Sequence, residues 1–173
     1  DVVYVKEIQP PANYQADPTV YPVDVNIGKT STKNVLNERT YAKIHLIKED
    51  AETGANPQGD ATLEGAVYGL YARENIVHPY GTTGIVHKDG DLVSTLKVAQ
   101  KGDAVVKDLY LGKYFVKEIQ APEGYLLDET EHDVECSYEG GKVPTIERTV
   151  KSTELVMKQP FQIIKAANNG ETD

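Results

Sequence analysis

The chain has no tryptophan, and only one of its 173 residues is a cysteine. A lone thiol, Cys136, excludes any disulfide within the chain. It sits in His132-Asp133-Val134-Glu135-Cys136-Ser137-Tyr138, where Val134, Cys136 and Tyr138 alternate onto one face; a small buried hydrophobe in a strand is expected. Two compartments stay open: a reducing cytoplasm, or an exterior where something other than disulfides does the stapling. Positive charge is also scarce, with 18 Lys and Arg against 27 Asp and Glu. Phosphate binding needs clustered cations, so nucleic acid is not an expected partner; the balance suits a self-repelling surface protein. No apolar run approaches the length of a membrane span, so direct membrane insertion is not expected. Nothing at the start reads as a signal peptide, and any export signal or wall anchor is expected outside these residues.

Catalytic signatures are missing too. There is no Gly-x-Ser-x-Gly, phosphate loop or dinucleotide fingerprint, and no enzymatic turnover is expected. His78 and His87 flank the stretch Pro79–Gly84, with Asp89-Gly90-Asp91 beyond, but their spacing matches no structural zinc site. Asp50-Ala51-Glu52-Thr53-Gly54 is acidic yet lacks the alternating oxygen ligands of an EF-hand loop, and reads as a turn. No metal and no cofactor are expected.

What is present is alternation. Tyr41–Lys48, Ala66–Tyr71, Tyr114–Ile119 and the run around Val134 read as strands, with Gly, Pro and Asp between them and no convincing helix. Short strands at this spacing predict an all-β sandwich. An internal repeat adds to this. Tyr4-Val5-Lys6-Glu7-Ile8-Gln9-Pro10-Pro11-Ala12-Asn13-Tyr14 matches Phe115-Val116-Lys117-Glu118-Ile119-Gln120-Ala121-Pro122-Glu123-Gly124-Tyr125, and Ile44-His45-Leu46-Ile47-Lys48 is echoed by Phe161-Gln162-Ile163-Ile164-Lys165. The offset, about one sandwich domain, predicts three pieces: 1–38 as the C-terminal part of a preceding domain, 39–158 as a complete domain, and 159–173 as the first strand of a following domain or a linker. The joins contain no Gly/Ser-rich linker, which predicts a semi-rigid rod.

Gly112–Tyr125 resembles the "G-x-Y-x-x-x-E-x-x-A-P-x-G-Y" signature of Cna B-type, SpaA-like pilin domains. Leu63-Glu64-Gly65-Ala66-Val67-Tyr68-Gly69-Leu70-Tyr71 is similar to that family's second strand, and Lys48-Glu49-Asp50 with Thr53-Gly54 to the end of its first. The resemblance implies a prealbumin-like (Ig-like, Greek-key) β-sandwich, extracellular and cell-wall-attached in the intact protein of a Gram-positive bacterium. It implies a stalk or pilus-shaft repeat whose partners are adjacent repeats of the same polypeptide. The alternative is an adhesin module that presents His78 and Tyr80 on the Glu74–Asp91 region to a host glycan or protein.

Many members of that family carry a self-formed amide between a first-strand lysine and a last-strand Asn or Asp, assisted by a Glu or Asp. A lysine amine attacks only when neutral, and burial among aromatic rings favours that form. Such a bond would restrict the unfolded chain much as a disulfide does, by roughly 2–4 kcal/mol. Here the lysine is Lys48 or Lys43, on opposite strand faces, with His45 where some members place it. Glu118 and Glu7 occupy the glutamate position, though alternation alone leaves open which face Glu118 takes. Asn37 lies eleven residues before Lys48, and the same count back from Lys165 reaches Glu154. Gly141–Lys158 contains no Asn or Asp, so the standard bond is not expected in the complete domain. The preceding one, with Glu7 and Asn37, has the standard acceptor, but its lysine strand is expected outside these residues; Lys165 is the corresponding lysine of the following domain.

Overall fold

A computed structural model describes residues 1–81 and 83–164. Eleven strands and no helix are found among them: β1 Val2–Lys6, β2 Val20–Asp24, β3 Tyr41–Asp50, β4 Val67–Ala72, β5 Ile76–Val77, β6 Ile85–His87, β7 Leu92–Lys97, β8 Asp103–Leu109, β9 Gly112–Gln120, β10 His132–Cys136 and β11 Thr145–Glu154. Seven of them build a sandwich. One sheet runs β10-β9-β4-β7 and the other β11-β3-β8, while β1-β2 and β5-β6 are separate ribbons. The fold is the expected all-β sandwich.

Alternation explains the layers. In β3, Ala42, Ile44, Leu46, Lys48 and Asp50 are buried while the intervening residues are only half-covered. The facing sheet contributes Tyr68, Leu70 and Ala72 from β4, Tyr114 and Val116 from β9, and Val134 and Cys136 from β10. Each large apolar side chain removed from water in this way contributes about 1.5–3 kcal/mol. The first strand of the sandwich and the last, β3 and β11, lie side by side and parallel, with Lys48 opposite Ser152 and Asp50 opposite Glu154. Lys48 N–H donates to Gly102 O at 2.7 Å in the β7–β8 turn. Gly102 has φ +81, and a Cβ there would stand 2.9 Å from Lys48 O, so both the turn and the close approach need glycine.

Three strands of the sandwich lie outside the sequence-read runs: β7, β8 and β11. β11 reads as polar, and its burial falls on Ile146, Val150, Ser152 and Glu154. The Glu74–Asp91 region, expected as a long loop, contains the short ribbon β5-β6. Buried Ile76 pins that ribbon to the core.

Residues 1–40 join the sandwich at its Thr145 end. Ala16 N–H donates to Gly141 O at 2.8 Å, and Tyr138 O–H to Tyr14 O at 3.0 Å. The Arg39 guanidinium lies 4.1 and 4.0 Å from the ring centroids of Tyr41 and Tyr110, and donates to Leu109 O and Asp108 O. A planar cation held between two rings is a stiff connection.

Cys136 is fully buried, and loss of hydration pushes its thiol up to about 11. The folded protein should therefore not react with a thiol reagent at pH 8, whereas denaturant should expose one reactive thiol per chain. Rapid labelling without denaturant would contradict this packing.

Candidate functional site

Three carboxylates and one lysine are buried inside the sandwich, on strands that alternation aims inward. Lys48 and Asp50 come from β3, Glu118 from β9 and Glu154 from β11; each is about 1–2% exposed. The two faces of β9 are now resolved: Tyr114, Val116 and Glu118 point to the core. Of the two lysines, Lys48 is interior, while Lys43 sits on the outer face 3.2 Å from Glu147. His45 shares that outer face, 3.5 Å from Asp103.

Lys48 Nζ donates to Glu118 Oε1 at 3.1 Å and to Tyr68 Oη at 3.3 Å, and it contacts Glu154 Oε2. The Tyr68 hydroxyl donates to Glu154 Oε1 at 2.6 Å and lies 2.9 Å from Ser152 Oγ. Glu118 Oε2 is held by the Asp128 N–H at 3.1 Å. The Tyr68 and Tyr125 rings each stand 5.6 Å from Nζ. Glu154 Oε2 accepts no aligned hydrogen bond, although the amine lies against it. Glu118 and Glu154 thus each have one oxygen fixed by a neutral donor and the other turned to the lysine.

Asp50 is set apart from this cluster. Burial alone would raise its pKa, but donors from Tyr125, Glu52 N–H, Gln58 and Thr53 N–H outweigh that and hold it well below the carboxylate range. It anchors the turn after β3, as the acidic stretch suggested. Burial pushes Tyr125 up to about 12, with Asp50 adding to the effect. Burial and then Glu154 raise Tyr68 further, so both phenols stay protonated donors.

Tyr68, Ser152 and Tyr125 escaped the sequence reading. The signal for Tyr68 was present: it shares the face of Ala66, Leu70 and Ala72, and a tyrosine aimed into a core needs a partner for its hydroxyl. Elsewhere, Asn37 Nδ2 donates to Glu7 Oε1 at 2.8 Å, bringing together the second expected pair. Lys165 lies outside the described residues. His78 is tied up internally: Nδ1 accepts from Tyr80 N–H at 3.0 Å, and the ring packs edge-on against Tyr110 at 5.6 Å. Tyr80 itself is 64% exposed. Among the described residues no cluster of His, Cys, Asp and Glu is arranged to hold a metal.

Burial pushes Glu118 up to about 7, against the opposing pull of the Asp128 N–H and Lys48, with Glu154 reinforcing the rise. The folded state then keeps a proton that the unfolded chain releases near 4.5, so stability falls as pH rises from about 4.5 to about 7. A shift of that size corresponds to a loss on the order of 3 kcal/mol. Asp50 acts oppositely, its contribution being lost as pH falls below 3.8. Urea unfolding should therefore show greatest stability near pH 4–5, and Glu118→Gln should flatten the decline toward pH 7. An unchanged slope in the variant would remove Glu118 from this role.

The SpaA prealbumin-like fold domain model matches residues 42–151. Among solved structures, the TIE protein of Bacillus anthracis is 28% identical with a TM-score of 0.66, the match covering 89% of this chain and 25% of that one. The T6 backbone pilin of serotype M6 Streptococcus pyogenes is 14% identical with a TM-score of 0.51, over 78% of this chain and 38% of the pilin, a likeness of fold alone. This chain therefore spans about a quarter of the TIE protein's length. A search of curated proteins gave no match. With the family model covering most of the sandwich, the chain belongs to the SpaA prealbumin-like fold domain family.

Proposed function

We propose that this chain is a structural repeat of a bacterial cell-surface stalk or pilus-type protein, and that Lys48 and Glu154 tie its first sandwich strand to its last through an amide. The observation that carries the reading is the buried contact of Lys48 Nζ with Glu154, across the parallel β3–β11 pair and beside Glu118. A force along the chain enters at β3 and leaves at β11, so a link between these strands takes the load directly.

The chemistry balances with the groups present. In its ionised form, which prevails above about pH 7, Glu118 accepts a proton through Oε1 from the Lys48 ammonium 3.1 Å away and leaves a neutral amine. Nζ bonds to Cδ of Glu154 while the Tyr68 hydroxyl supports charge on Oε1. The Cδ–Oε2 bond breaks, and Oε2 is the oxygen that no aligned donor holds. Of the three ammonium protons one stays on the amide nitrogen, and two leave with Oε2 as water, relayed by Glu118. Glutamate replaces the Asn or Asp usual in the family, so water leaves rather than ammonia. The step occurs once and is not turnover.

The adhesin alternative draws support only from the exposed Tyr80 on the β5-β6 ribbon. His78, its intended companion, is engaged within the fold.

Intact mass under denaturing conditions should be lower than the sequence sum by one water, and Lys48→Met or Glu118→Gln should restore the full mass. Stretched from its ends, the linked protein should release no length between residues 48 and 154. A full mass in the parent protein would overturn the amide and leave an ionic clamp. Complete extension at low force would overturn the load-bearing role.

A further inference from the structure

Beside the buried lysine stands one phenol, and the direction of its single proton is fixed by the groups around it. The Lys48 ammonium has three protons and three partners: Glu118 Oε1 at 3.1 Å, Tyr68 Oη at 3.3 Å, and Glu154 Oε2, which it touches. All three contacts are donations, because an ammonium has no lone pair. Tyr68 Oη therefore accepts from Lys48 and has one proton to give. Two oxygens compete for it: Glu154 Oε1 at 2.6 Å and Ser152 Oγ at 2.9 Å.

Ser152 decides which of them receives it. This residue is 1% exposed, and among the described residues Tyr68 Oη is the only hydrogen-bond partner of its hydroxyl. If Tyr68 gave its proton to Ser152, the Ser152 proton would be buried without an acceptor and Glu154 Oε1 without a donor. Both are satisfied only when Ser152 donates to Tyr68 and Tyr68 donates to Glu154. Burial and then Glu154 raise the Tyr68 pKa, and Ser152 opposes them, the sign expected of a donor to the phenol oxygen.

The strands hold this order. Lys48 lies opposite Ser152 in the parallel β3–β11 register, and Glu154 follows two residues later on the same inward face. The residue facing the lysine across the ladder is thus a hydroxyl, and the carboxylate it meets comes from the next inward position. Tyr68 reaches the same point from β4 in the other sheet.

This relay gains importance as the amide forms. The Nζ–Cδ bond is made, the Cδ–Oε2 bond breaks, and Oε2 leaves with two protons as water. During the addition charge moves onto Oε1, where Tyr68 donates. The amide nitrogen keeps a single proton, and with Glu118 Oε1 taking it, Ser152 is the remaining donor to Tyr68 Oη. An interaction that matters more late in the reaction than at its start lowers the barrier.

We infer that Ser152 is a positioning residue for the Lys48–Glu154 amide: by donating to Tyr68 it commits the phenolic proton to Glu154 Oε1, and it acts only through that phenol. The inference rests on the amide reading of this cluster.

The parent protein and its variants, made by cell-free synthesis and quenched in acidic denaturant at intervals, report the step as loss of one water from the intact mass. Ser152→Ala should reach the parent's final mass about tenfold more slowly, the contribution of one hydrogen bond. Tyr68→Phe should slow the step on the order of a hundredfold, as loss of an oxyanion donor does. Adding Ser152→Ala to Tyr68→Phe should slow it no further, since the phenol is gone; a residue that merely packs would slow both backgrounds alike. Cys136 should stay unreactive at pH 8 in all three variants, which checks the fold. A parent at full mass would overturn the amide, and this role with it. A linked parent matched in rate by Ser152→Ala, equal slowing in both backgrounds, or a Cys136 thiol exposed by either substitution would overturn the role of Ser152 alone.

Discussion

The sandwich depends on where one buried lysine finds its counter-charges. A cation removed from water is tolerated only with partners in place, and Lys48 has them from two other strands: Glu118 on β9 in the facing sheet and Glu154 on its neighbour β11. This fixes more than charge. A one-residue slip of β3 against β11 would turn Lys48 outward and leave two buried carboxylates facing each other. Apolar layers tolerate small shifts in packing, whereas this cluster penalises any register but one. Tyr68 and Asp128 N–H complete the arrangement by holding the carboxylate oxygens that the lysine does not reach.

The position of the lysine was legible in principle from β3 alone. Ala42, Ile44 and Leu46 define an apolar face, and Lys48 continues its parity, whereas Lys43 and His45 share the other face with Tyr41 and Ile47. The same rule places Glu118 behind Tyr114 and Val116. Both had looked undecided because a charged residue inside a sheet runs against the usual expectation, and the cost of that choice is visible only with its partners. The parallel pairing of β11 with β3 could not be read this way. It joins segments about a hundred residues apart, and β11 is too polar to announce itself.

The contrast between residues 28–37 and β11 makes the same physical statement. The flanking hydrogen bonds correspond, from the Tyr14 and Tyr125 turns to the bridges at Arg39 and Val156. Yet only the segment that lies beside β3 is a strand. Local sequence sets the turns, which close over a few residues. Tyr14 and Tyr125 follow the same Pro-x-x-Tyr turn because Tyr14 N–H and Tyr125 N–H reach back to Pro11 O and Pro122 O without help from elsewhere.

A chain with one cysteine must resist opening by some means other than a disulfide, and the choice of strands for the buried cluster follows from where the chain enters and leaves. Unravelling from either terminus begins at β3 or β11, since each is the outermost sandwich strand in sequence. Their parallel, side-by-side pairing means that a pull on the two ends shears the whole ladder at once rather than peeling it one bond at a time. Lys48 and Glu154 sit near the end where β11 leaves the fold, beside the turn that Asp50 anchors through Tyr125. Spontaneous fraying of β11 from that end, unlike a pull on both ends, must first separate Glu154 from a lysine with no water to replace it. The cluster is thus placed where opening would start, and its burial raises the resistance there more than the same pair could at the surface.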